Sequence, residues 1–120
     1  MLVIPTLITE PSNIYYHMKY LITESQFDKV IFKYLDNQDF VVIKMPNRLY
    51  YVNSEGDAFA QIKYYPEDRW CTINYDLADE VSKFFSLDYS DSISVINKWI
   101  ENKFGRKSIN VEVASPIVRF

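Results

Sequence analysis

The chain has 120 residues, a formal net charge of −3 and a pI near 5.1, which suits one domain with its own core and excludes strong global attraction to nucleic acid or an anionic membrane. Aromatic residues make up 17% of it and glycine contributes only two positions, a balance that favours sheet and interface and excludes Gly-rich phosphate loops and the G-x-S-x-G elbow. The single cysteine, Cys71, rules out an internal disulfide and fits a reduced cytoplasm, and no apolar run approaches the roughly 18 residues of a membrane span.

Residues 1–11 hold Pro5 and Pro11 around Thr6-Leu7-Ile8-Thr9, so they read as an extended arm or an edge strand. Residues 14–22 alternate as a strand, with Tyr16, Met18, Tyr20 and Ile22 on one face and Tyr15, His17, Lys19 and Leu21 on the other. Thr23 with Gln26 three residues later is a capping box. The first helix follows, with Phe27, Val30, Ile31, Tyr34 and Leu35 as its apolar stripe, and Asp36-Asn37-Gln38-Asp39 ends it.

Residues 40–45, 48–53, 58–65 and 70–75 then form an antiparallel meander. Its turns are Pro46-Asn47, Ser54-Glu55-Gly56-Asp57 with Gly56 at positive φ, and Pro66-Glu67-Asp68. Asp76 caps a second helix with Leu77, Val81, Phe84 and Phe85 buried. A third helix starts at Asp88 or Ser90 and runs to Phe104 through Ile93, Ile96, Trp99 and Ile100, with Gly105 as its left-handed cap. Ile109, Val111 and Val113 alternate as a last strand that Pro116 stops. The sum is a single α+β domain over residues 1–120: a mostly antiparallel sheet of N-terminal strand, four-strand meander and C-terminal strand, with about three helices packed on it.

Alternation assigns Val41, Ile43, Met45, Ala58, Ala60, Ile62, Cys71, Ile73 and Tyr75 to the helical side and Phe40, Val42, Phe59, Tyr65 and Trp70 to the other. That second face is also apolar, and large exposed apolar patches are uncommon on isolated monomers. The expected covers are the N-terminal arm, a second copy, a partner or a nucleic acid, unless the second and third helices pack on opposite faces.

Catalytic signals are sparse. His17 is the only histidine, so a His-based zinc site is not expected, and Cys71 lies within a strand, away from any helix N-terminus that would lower its pKa. Two of the four acidic groups, Asp76 with Asp79-Glu80 and Asp88 with Asp91, sit at helix starts and serve capping. We therefore expect no enzyme, cofactor or metal.

The expectation is a non-catalytic protein-interaction domain in the cytoplasm, contacting a protein or a second copy of itself through Phe59, Tyr65, Arg69 and Trp70, residue types favoured at interface centres. Richness in Ile, Asn, Lys, Tyr and Phe is what an AT-rich genome encodes, which suggests a phage or mobile-element protein acting on a bacterial host protein. The alternatives are a small nucleic-acid-binding protein using Lys44, Arg48, Lys63 and Arg69, and a virion component.

Overall fold

A computed structural model describes residues 2–3, 21–22, 24–108 and 110–120, with side chains from Gln26 onward. The expected arm over 1–11, the expected strand over 14–22 with its His17, and the Thr23 cap lie outside these residues, apart from one two-residue segment of the arm and one of the strand. These are β1 (Leu2–Val3) and β2 (Leu21–Ile22), which pair antiparallel, Leu2 opposite Ile22.

Helix α1 (Glu24–Asp36) buries Phe27, Ile31 and Leu35, one turn apart on a single stripe. Val30, expected on that stripe, is half exposed, because the buried positions Phe27, Ile31 and Leu35 recur every four residues and Val30 lies at the margin of that line. The chain then enters β3 (Val41–Met45) and β4 (Arg48–Val52), joined by the two-residue Pro46-Asn47 turn in register Val41 opposite Val52.

The 54–57 loop closes on Asp57, whose carboxylate accepts from the Ser54 N–H and whose own N–H donates to the Ser54 carbonyl, both at 2.9 Å. Gly56 is not at positive φ here, contrary to expectation, because the aspartate side chain makes the turn.

The expected third strand divides at Gln61. β5 (Phe59–Ala60) turns away to pair with an unforeseen β9 (Ile117–Val118), which follows the cis Ser115–Pro116 peptide, so Pro116 ends one strand without ending strand structure. β6 (Ile62–Tyr65) stays between β4 and β7 (Trp70–Asn74). Gln61 bridges the division: its N–H donates to the Tyr51 carbonyl and its carbonyl accepts from Asn74, both at 2.8 Å.

Helix α2 (Tyr75–Phe85) starts directly from β7. Its cap is Asn74, not Asp76: the Asn74 side chain accepts from the Asp76 N–H at 2.7 Å. Helix α3 (Tyr89–Phe104) has Asp88 at its N-cap without a side-chain bond, and Gly105 at φ 67° closes it through a bond to the Glu101 carbonyl, as expected. β8 (Asn110–Ala114) returns parallel to β7, giving a five-stranded mixed sheet ordered β3-β4-β6-β7-β8. The fold class is therefore α+β, with a mostly antiparallel sheet and three helices among the described residues.

All three helices contribute to one core with Leu49, Tyr51, Ile62, Tyr64, Cys71 and Ile73 from the sheet. At about 25 cal/mol per Å² of apolar surface, this burial is the main stabilising term. A second, smaller cluster of Tyr50, Val52, Ala60 and Ile117, with Ile43 and Ala114 against it, lies on the other face.

The face assignment for β3 is consequently inverted. Phe40 packs on the helical core, and Val42 stands opposite core Tyr51, while Ile43 joins the far cluster. Ala60 also belongs to the far cluster, Ala58 is exposed, and Tyr75 leaves the sheet to begin α2. Phe84, expected in the core, is 65% exposed but stacks on Tyr34 at 4.8 Å.

Candidate interaction face of the sheet

Side chains alternate along a strand, so Arg48 and Tyr50 of β4, Lys63 and Tyr65 of β6, and Trp70 and Thr72 of β7 point away from the helices. Ladder pairing brings them together: Tyr50 is opposite Lys63, Lys63 opposite Thr72, and Tyr65 opposite Trp70. The 66–69 turn fixes the last pair, with Arg69 in the left-handed region at φ 51°.

The cations lie on the rings. Arg48 Nε donates to the Tyr50 hydroxyl at 2.8 Å and its guanidinium sits 5.6 Å from the Tyr50 ring centroid. Lys63 Nζ is 5.4 Å from the Tyr65 ring, and the Tyr65 and Trp70 centroids are 6.2 Å apart. The bond to Tyr50, foremost, raises the Arg48 pKa further. Among the described residues neither Arg48 nor Lys63 makes an ion pair. Glu112 on the same face is already engaged, accepting from Thr72 Oγ1 at 3.0 Å. The face thus presents two uncompensated cations beside an indole that is 38% exposed.

Of the residues expected to bind a protein, Tyr65 and Trp70 meet here; of those expected to bind nucleic acid, Arg48 and Lys63 do. The other three lie elsewhere. Phe59 pairs with Val118 on the β5–β9 ribbon, 53% exposed. Lys44 is opposite core Leu49 on the helical side of edge strand β3. Arg69 precedes Trp70 and acts with Arg106 to lower the Tyr64 pKa against the larger upward push of burial, which sets it near the helical core. Tyr50 was missed, although its place two residues after Arg48 in a strand was the signal for it.

Cys71 is fully buried, and desolvation pushes its thiol up to about 12, so it is no nucleophile at neutral pH. No group of three or more His, Cys, Asp or Glu among the described residues is arranged to hold a metal ion, and no described helix is long and apolar enough to cross a membrane. No family model, curated protein or solved structure matches this chain.

Proposed function

We propose that this is a non-catalytic protein-interaction domain whose contact surface is the sheet face turned away from the three described helices, centred on Trp70. The observation that carries this reading is the set Arg48, Lys63, Tyr65 and Trp70 on one face, with both cations on aromatic rings and neither neutralised by an ion pair among the described residues. Tyr, Trp and Arg dominate interface hot spots because each combines a large rigid contact area with a polar end. The two cations favour a partner surface carrying carboxylates.

Single-stranded nucleic acid fits less well. Stacking platforms work within a basic groove that tracks many phosphates, whereas this face has two cations, with Glu67 and Asp68 in the adjoining turn. Composition supports a phage or mobile-element source and hence a host protein as partner, and the buried free Cys71 suits a reduced cytoplasm.

The test is affinity capture from a lysate of the source cells, comparing the parent protein with Trp70→Ala, Arg48→Ala/Lys63→Ala and, as a control on the helical side, Phe84→Ala. A protein retained by the parent and by Phe84→Ala but lost from the other two supports the reading. An unchanged set of captured proteins across all four contradicts it.

A further inference from the structure

A second feature lies on the helical side, independent of the sheet face. The end of α1, the loop after it, β3 and α3 enclose a cleft of about 220 Å³. Three aromatic side chains wall it: Phe40, Tyr51 and Trp99, with centroids 5.7 to 6.4 Å apart. Tyr51 and Trp99 are held rigidly, each almost wholly buried.

The polar rim is Asp36, Asp39 and Lys103. Lys103 Nζ lies 4.7 Å from the Trp99 ring centroid and donates to Asp36 Oδ1 at 3.1 Å; the Trp99 indole N–H donates to the same oxygen at 3.0 Å. The cleft therefore already holds one primary ammonium in the way aromatic cages do, with a π-face on one side and a carboxylate on the other.

That internal pair neutralises Asp36 and Lys103, leaving Asp39 as the net charge of the cleft. Its carboxylate takes no hydrogen bond or ion pair among the described residues, and its backbone is fixed in the left-handed region at φ 54°. An anionic guest would meet this uncompensated carboxylate and the negative ring faces. A neutral apolar guest would leave Asp39 unused.

We propose that the cleft is a binding site for an organic ammonium group, its apolar body against Phe40 and Val42 and its charge directed at Asp39. The volume is below the roughly 300 Å³ at which drug-sized pockets begin, so the guest is a small aromatic amine or one lysine side chain of a peptide. Both present the same chemistry.

The experiment uses the full chain carrying Trp70→Phe, which leaves Trp99 as its one indole. Trp99 emission is titrated with phenethylamine, with phenylacetate as the anionic counterpart, and with Nα-acetyl-lysine methylamide. The expected result is a saturable change with the amines, none with phenylacetate, and at least tenfold weaker amine binding in Asp39→Asn. Tighter binding of the lysine amide assigns a peptide side chain, and tighter binding of phenethylamine assigns a free amine. The proposal is overturned if neither amine saturates in the millimolar range, if phenylacetate binds as well, or if Asp39→Asn leaves the titration unchanged. Asp39 is exposed, so that variant keeps its core, and a far-UV spectrum matching the parent checks this.

Discussion

Tyr65 and Trp70 stand opposite each other across the β6–β7 ladder, their ring centroids 6.2 Å apart on the sheet side that none of the described helices covers. Cross-strand aromatic pairs of this kind contribute about 0.5 kcal/mol beyond their separate effects. A double-mutant cycle of Tyr65→Ala and Trp70→Ala in urea should return a coupling of that size. A coupling of zero would show that the rings do not pair in solution, and the interaction face would lose its centre.

The α2 cap gives a sharper stability contrast. Asn74→Ala removes the side chain that accepts from the Asp76 N–H, at an expected cost of about 1 kcal/mol. Asp76→Ala removes only a favourable charge at the positive helix end, worth about 0.5 kcal/mol. Paired denaturant titrations check the order; a larger loss at Asp76 would return the cap to that residue.

Burial of Cys71 predicts a thiol inert to a disulfide reagent in the native state at neutral and mildly alkaline pH and fully reactive in denaturant. Because burial raises its folded pKa from 9.0 to about 12, the native state binds more protons than the unfolded one across that interval. This contribution to stability is complete below pH 9 and falls as pH climbs from 9 towards 12. Desolvation, first, also raises Tyr51 to about 12 and adds to the same loss. Cys71→Ala should flatten the alkaline slope of the unfolding free energy, and an unaltered slope would place the thiol in contact with water.

Asp36 titrates the other way. Burial pushes its carboxyl up, but the bonds from Trp99 and Lys103 together outweigh that and hold its pKa below the ordinary value. The associated stability is present above the unfolded carboxyl pKa and is lost as pH falls through the lower folded one. The Trp99 indole N–H resonance should follow this titration, with a midpoint below the roughly 3.9 of an unperturbed aspartate. Asp36→Asn should abolish the acid-induced shift, and a midpoint at or above 3.9 would mean the two groups are not bonded.

Much of the fold could be read in advance where a residue acts locally. The Ile31/Leu35 stripe, the Gly105 cap and the Pro46-Asn47 turn depend on neighbours within one turn, and each stands as expected. Facing in β3 did not, because Val41, Val42 and Ile43 are apolar at consecutive positions and alternation carries no sign there; the ladder to β4 decides it. The break at Gln61 depends on Ile117–Val118, more than fifty residues away, a long-range pairing that no local pattern encodes.

The candidate site was legible in residue types and not in grouping. Lys63, Tyr65 and Trp70 share a face because the 66–69 turn sets the β6–β7 register, whereas Arg69 lies in the turn itself, outside that ladder. The Lys103–Trp99–Asp36 contact joins α3 to the end of α1, so Asp36 is more than sixty residues from both of its partners in the chain.

Photo-cross-linking in the source cells tests the sheet face as a protein contact, with a benzophenone amino acid placed at position 70 or position 63 on the sheet face, or at position 84 on the helical side. Covalent adducts to one protein species are expected from positions 70 and 63 and none from position 84. Adducts confined to position 84, or none from any of the three, would contradict that contact.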